Sequence, residues 1–424
     1  MTAMPLLAIA LLAQAPATPA PMPTTPEGCL VAAREFTRTE QRALKQVTAD
    51  AVRKIEADKI VLAQKCAAQF DVATIGAADL ASLIALYGEA AQPALAKAAI
   101  DRALGLKSLS TANRAAVLSQ AVLSGLREPK SAERNARLES YVDQLDRLGG
   151  DDLLDVKMTT HSRINGYYRG DDIDAGIIKH STWIIDAAKT FTPAQGALYG
   201  ATVVNAIVNM AEALAGQGEN DRAKALLAEA KSKWSDVRGA DRMLDPVIAR
   251  YALVGTVGRA ITAPRWLNAP ANTTLPMTGS VTLLEFTAHW CGPCKESYPG
   301  IKRLLAKYGP QGFRVVMATE LYGYFGSERP LTPDVEYERD REYWAHEGLN
   351  VPIAVADAPP TPVRGADGSY DITESPNFAA YEVGGIPQIQ ILDRRGRIRL
   401  IMVGYDDANE AALAKLIEQL LKEK

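Results

Sequence analysis

Cysteine and histidine are scarce in this chain, with four of each in 424 residues. The histidines (His161, His180, His289 and His346) are scattered without metal-ligand spacing, so no metal site is expected. Basic residues are not in excess either. Lys and Arg total 47 against 50 Asp and Glu, for a net charge of −3, and no basic stripe stands out. An electrostatic footprint for nucleic acid is therefore not expected. The apolar run at residues 5–13 is too short to cross a bilayer.

What is present points to more than one domain, because 424 residues exceed what one core serves. Residues 1–26 combine the short apolar run, small residues at Ala13, Ala15 and Ala17, and a Pro/Thr/Ala tract. They read as an export signal followed by a Pro-rich linker, although the start carries no Lys or Arg. The alternative is a frayed apolar tail.

Residues 27–257 read as helix after helix, rich in Ala, Leu, Lys and Glu. Leu80, Leu83, Ile84 and Tyr87 keep the spacing of one buried helical face, Gly88 interrupts, and Leu95, Ala99, Ile100, Ala103 and Leu104 mark another helix. The stretch MAEALAGQGENDRAKALLAEAKSKW, residues 210–234, resembles a tetratricopeptide repeat. Ala211 and Leu214 lie on its first helix, Gly218 at the turn, and Ala223, Leu227 and Ala230 on the second. No 34-residue register extends elsewhere, so a generic helical bundle stands beside the repeat reading. This region offers no catalytic constellation and reads as a partner-binding or spacing module. Cys29 and Cys66 fall within it. One unbroken helix would hold them about 55 Å apart, at ~1.5 Å per residue, and forbid a disulfide. A break near Thr48 or Asp50, both N-capping residue types, allows a hairpin and a pair.

From residue 258 the composition changes. Residues 263–279 are rich in Pro, Asn and Thr and read as loops with short extended pieces. VTLLEFTA then predicts a strand, the segment after CGPC a helix with Ile301, Leu304 and Leu305 inward, and FRVVMATE a second strand. That order is a βαβ unit with parallel pairing. IPQIQILD and RIRLIMVG predict a hairpin turning at Arg395-Gly396, and residues 409–422 a closing amphipathic helix. Between the cysteines and Pro387, residues 322–371 hold LYGYFG, a helix capped at Thr332-Pro333, a strand at VPIAVAD and a Pro/Gly loop; Ser375-Pro376 reads as a further helix start.

Cys291 and Cys294 form the C-x-x-C at the strand–helix junction. A thiol at a helix N-terminus faces unpaired N–H groups and the positive end of the macrodipole, which lowers its pKa and favours the nucleophilic thiolate. Cys294 lies one turn further in, on the same face and more buried. Cys291 is thus expected to attack a substrate disulfide, and Cys294 to resolve the mixed disulfide.

LLEFTAHWCGPCK resembles the thioredoxin active-site segment, and GGIPQIQILDRRGRI resembles the thioredoxin cis-proline strand and hairpin. Residues 261–424 as a whole resemble the TlpA/ResA-type thioredoxin-like proteins of bacterial envelopes. After the all-helical domain read at 27–257, the resemblance implies a thioredoxin fold over 258–424, with a mixed sheet flanked by helices and an insertion at 322–371. It implies that Trp290 packs beside the nucleophile and that Pro387 follows a cis peptide bond. Ile386 would then offer its backbone to an extended substrate. Glu285, six residues before Cys291, matches a buried carboxylate able to take the Cys294 proton. The alternative for Glu285 is a strand residue facing solvent. The family's glutamate three residues after the second cysteine is Ser297 here, with Glu296 one position short, and Glu296 is given no role. Tyr322, Tyr324 and Phe325 read as cover for the insertion, with the shaping of a substrate groove as the alternative.

A zinc site is disfavoured because the other cysteines lie more than 200 residues upstream. A peroxiredoxin-like peroxidase lacks its expected Pro/Thr approach to a single cysteine. A non-enzymatic adaptor would have no need of Cys294. Gly292-Pro293 matches thioredoxin, a reductant at roughly −270 mV. The expectation is an exported, periplasmic protein disulfide reductase without a cofactor. It would act on protein disulfides, drawing electrons from a membrane thiol carrier or a thioredoxin system, and its helical domain would select a client or recruit a partner. The alternatives are an oxidant or isomerase on the same fold, or a helical-repeat adaptor.

Overall fold

The computed structural model describes residues 22–44, 49–170, 174–357, 363–364, 370–371, 375–405 and 407–423. The export-signal reading of residues 1–21, the break at Thr48 and most of the Pro/Gly loop of the insertion lie outside them. Eleven helices come first among the described residues: α1 (Pro26–Ala43), α2 (Ala49–Ala67), α3 (Leu80–Glu89), α4 (Pro93–Gly105), α5 (Thr111–Gly125), α6 (Ala132–Asp146), α7 (Leu154–Gly170), α8 (Asp174–Ala188), α9 (Pro193–Gly216), α10 (Asn220–Lys233) and α11 (Ala240–Ala252). Then come β1 (Ile261–Thr262), β2 (Arg265–Leu267), β3 (Thr274–Leu275), β4 (Val281–Phe286), α12 (Gly292–Tyr308), β5 (Phe313–Glu320), α13 (Pro333–His346) and β6 (Ile353–Ala356). The chain closes with β7 (Val363–Arg364), β8 (Tyr370–Asp371), α14 (Pro376–Ala380), β9 (Gln388–Leu392), β10 (Ile398–Val403) and α15 (Asp407–Lys422). The chain is therefore all-helical first and a thioredoxin fold after.

Contacts gather the chain into two compact units, one ending at Thr160 and one running from His161 to Lys424. In the first, side-chain caps begin several helices: Thr25 accepts from Gly28 N, Ser110 from Asn113 N and Ser131 from Arg134 N. Leu80, Leu83, Ile84 and Tyr87 are buried together, as their spacing predicted, with Ala99, Ile100 and Ala103 of α4. Leu95 departs from expectation. It sits in the first turn of α4 and is 41% exposed, the face of that turn pointing away from the core. Helices α1 and α2 fold back on each other, and Cys29 and Cys66 meet in a disulfide with Cα atoms 5.9 Å apart.

In the second unit α8 to α11 pack in succession, and α9 also packs on β10. Length and apolarity would let α9 cross a membrane, yet more than half of its apolar window is buried in protein, as for a core helix. At the turn from α9 to α10, Gly218 adopts φ 83°, where a side chain would be strained. Ala211, Leu214, Ala223, Leu227 and Ala230 are all buried there.

The main sheet has the order β10-β9-β4-β5-β6-β2. β4 runs parallel to β5 and antiparallel to β9, which pairs antiparallel with β10. All six residues of the central β4 are buried, because both faces of the sheet are covered. Val281 and Leu283 join a core with Tyr298, Ile301 and Leu304 of α12 and Leu413, Ile417 and Leu420 of α15. Phe286 points the other way, against Phe378 and Tyr381. The two-residue side-chain period places Glu285 on the α12 face with Val281 and Leu283.

Candidate active site

Strand β4 delivers the chain to Cys291, which is the N-cap of α12 and accepts from Cys294 N at 3.2 Å. The two cysteines form a disulfide with Cα atoms 5.3 Å apart. Cys291 is 3% exposed and Cys294 fully buried, with exposed Gly292 and Pro293 between them. Once the bond is reduced, the same N-terminal amides face the Cys291 sulfur and stabilise a thiolate.

Glu285 is fully buried, which excludes the solvent-facing alternative. Burial pushes its carboxyl up to about 8, partly offset by a hydrogen bond with Ser297. Ser297 Oγ lies 2.9 Å from Glu285 Oε1 and 2.7 Å from the Cys294 carbonyl oxygen. The position left without a family match is thus a bridge between the buried carboxyl and the second cysteine. The other carboxyl oxygen, Glu285 Oε2, is buried without a hydrogen-bond partner among the described residues.

Trp290 is 47% exposed and packs edge-on against Tyr322, ring centroids 5.3 Å apart. Sequence reasoning missed its neighbour His289. This buried imidazole stacks on Phe325 at 4.7 Å, meets Tyr324 edge-on at 5.6 Å, and holds Nδ1 3.3 Å from Asp340 Oδ1 on α13. Burial raises the Asp340 carboxyl, with His289 partly offsetting it. Tyr322, Tyr324 and Phe325 therefore do more than cover the insertion: they enclose the two residues that precede Cys291. Glu336 anchors them by accepting from Tyr322 N and Gly323 N, each at 2.6 Å. The only signal in the sequence was three aromatics within four residues, since their partner lies some 30 positions away.

The Ile386–Pro387 peptide bond is cis. Pro387 is buried and its carbonyl accepts from Gly404 N at 2.9 Å, while Ile386 is half-buried. Pro293, Ile386 and Pro387 line one cleft. The fold thus brings the C-x-x-C turn and the cis-proline loop together across more than 90 residues of sequence, with Glu285 beneath Cys294 and Trp290 at the side.

A central βαβ unit, an antiparallel hairpin, a strand-to-helix C-x-x-C and a facing cis-proline define a thioredoxin fold with a dithiol centre. No family model matches the chain. A stretch of 58 residues, 13% of the chain, is 40% identical to thioredoxin H7 of Arabidopsis thaliana and spans 45% of that protein, so the chain covers under half of this curated relative. Among solved structures, a putative thiol:disulfide interchange protein DsbE from Chlorobium tepidum is 25% identical, covering 40% of this chain and 97% of its own, with a TM-score of 0.29. StoA from Bacillus subtilis is 17% identical, covering 37% of this chain and 99% of its own, with a TM-score of 0.24.

Proposed function

We propose that this chain is a thiol–disulfide oxidoreductase that reduces disulfides of exported proteins, with residues 258–424 as its redox domain. The observation that carries the reading is Cys291 capping α12 while its partner Cys294 adjoins a buried carboxyl bridged by Ser297. The Cys291 thiolate attacks one sulfur of the client disulfide, forming a mixed disulfide and releasing the other sulfur as a thiolate. Cys294 then attacks Cys291 Sγ, the internal disulfide forms, and the client's second thiolate leaves. Two electrons pass from the pair to the client, and an external thiol donor restores the dithiol. The ionised fraction of Glu285, about a tenth at pH 7 for a carboxyl near 8, takes the Cys294 proton at resolution, so this step should quicken as pH rises towards 8. A CGPC turn favours the reducing direction, and a buried disulfide at Cys29–Cys66 suits an oxidising compartment such as the periplasm.

The test is the reduction potential of the Cys291–Cys294 pair in dithiothreitol or glutathione buffers, coupled to insulin reduction, with Cys291→Ser as control. A potential near roughly −270 mV and loss of more than ~99% of the activity in the control are expected. A potential near about −120 mV would make the protein an oxidant. The absence of any reversible dithiol would move the function to the helices as an adaptor.

A further inference from the structure

The cleft beside Pro387 has two walls. One is apolar and belongs to the redox site: Pro293, Ile386, Pro387 and Met402. The other is built by helices, from Arg169 and Gly170 at the end of α7 and from Asn209, Glu212, Ala213 and Gly216 on α9. We propose that this helical wall selects the client: it admits an extended, disulfide-bearing polypeptide segment and holds a backbone carbonyl of that segment on Arg169.

Four observations carry the inference, which rests on the oxidoreductase reading above. The cleft is about 190 Å³, below the roughly 300 Å³ at the small end of sites for drug-sized ligands, and suits a short length of chain. Gly170, Ala213 and Gly216 keep that width on the helical side, having almost no side chain to fill it. The Arg169 side chain is 46% exposed and sets Nη2 2.7 Å from Glu212 Oε2. Among the described residues its remaining N–H groups have no partner, so a peptide carbonyl finds donors there. The Ile386 backbone, facing the same cleft, likewise makes no hydrogen bond to a described residue.

The wall is also fastened to the loop it faces. Glu212 Oε1 pairs with Arg250 Nη1 at 2.8 Å, and Arg250, 4% exposed, donates from Nε to the Glu382 carbonyl at 3.1 Å. A Cβ on Gly384 would lie 1.9 Å from Arg250 Nη2, so glycine there makes room for the guanidinium. A continuous line of ion pairs and a hydrogen bond runs from Arg169 through Glu212 and Arg250 to the loop ending at Pro387. The helical wall and the cis-proline therefore meet a client as one surface.

The experiment compares two disulfides with the reduced full-length protein: an unstructured peptide carrying an internal disulfide, and bis(2-hydroxyethyl) disulfide, which has no backbone carbonyl to offer Arg169. The readout is the ratio of the two second-order rate constants, with circular dichroism and the Cys291–Cys294 potential reporting the integrity of fold and dithiol. Arg169→Gln is expected to lower the ratio about fivefold, Arg169→Lys to recover part of it, and Ala213→Leu, which narrows the cleft, to lower it at least tenfold. Ratios within twofold of the wild type in both Arg169→Gln and Ala213→Leu would overturn the proposal. If Ala213→Leu does not fold, Arg169→Gln decides alone, since its side chain is half exposed. A wild-type protein that reduces neither disulfide would instead sink the oxidoreductase reading, and this proposal with it.

Discussion

Ser297 has one hydroxyl proton and two oxygens within reach, Glu285 Oε1 at 2.9 Å and the Cys294 carbonyl at 2.7 Å. A carbonyl only accepts, so both contacts are hydrogen bonds together only when Glu285 is protonated and donates to Ser297 Oγ. Ionisation turns the serine proton to the carboxylate and away from the Cys294 carbonyl. A carboxyl pushed up to about 8 is protonated at neutral pH, consistent with that arrangement. The folded value lies above the ordinary 4.5, so the folded state binds this proton more tightly than the unfolded chain. Stability from the uncharged carboxyl is then complete below about pH 4.5 and is lost as pH rises towards 8. At about 1.4 kcal/mol per pH unit the loss is at most about 5 kcal/mol. Glu285→Gln keeps the donor to Ser297 without the charge. It should unfold at a higher temperature than the wild type at pH 8.5, the gap closing at pH 4.5. Parallel melting curves across that range would refute a buried, protonated Glu285. In the reduction assay the same variant should slow resolution, accumulating mixed disulfide with a Brønsted-type loss of about tenfold or more.

At the scale of elements, the helix that carries the cysteines is held by close crossings. A Cβ on Gly300 of α12 would sit 1.8 Å from Tyr405 Oη and 2.6 Å from Glu410 Oε2, so α15 and the turn before it approach where only glycine fits. Tyr405 Oη and Glu410 Oε2 are themselves 3.0 Å apart, and Arg303 Nε donates to Glu410 Oε1 at 2.9 Å. Gly300→Ala should wedge these elements apart and cost about 1–3 kcal/mol, less the few tenths to 1 kcal/mol that alanine gains over glycine inside a helix. Urea unfolding followed by tyrosine and tryptophan fluorescence measures it, and an unchanged midpoint would show that the crossing relaxes freely. The α13 insertion acts at the same scale. Through Asp340, Glu336 and the Tyr322–Phe325 aromatics it supports His289 and Trp290, which no local pattern around CGPC announces.

Across the whole molecule, what the sequence disclosed was whatever has a short period or a fixed spacing. The βαβ unit, the hairpin, the caps at Thr332 and Ser375, and the placement of Cys291 and Cys294 all follow from neighbours within one or two turns. Glu285, Trp290 and Pro387 were legible through resemblance, because their partners recur at set distances from the cysteines. Ser297, His289 with Asp340, and the line from Arg169 to Glu382 were not, since each joins residues that only tertiary packing brings together. The Cys29–Cys66 bridge lay between the two cases: a hairpin that could bring the cysteines together was foreseeable, and pairing was favoured over two free thiols only because an oxidising compartment favours it. This bridge closes a loop of 37 residues in the first unit, far in sequence from the redox pair. Chain-entropy reasoning gives such a loop about 4 kcal/mol of stabilisation. The Cys29→Ala/Cys66→Ala protein should therefore lose about 3–4 kcal/mol in the unfolding of its helical part, read by far-ultraviolet circular dichroism in urea. Its Cys291–Cys294 potential should match that of the wild type, since neither Cys29 nor Cys66 belongs to the site. A shifted potential would mean that the two disulfides exchange, making the first pair a redox partner of the second; an unshifted urea midpoint would mean that the bridge contributes nothing to the fold.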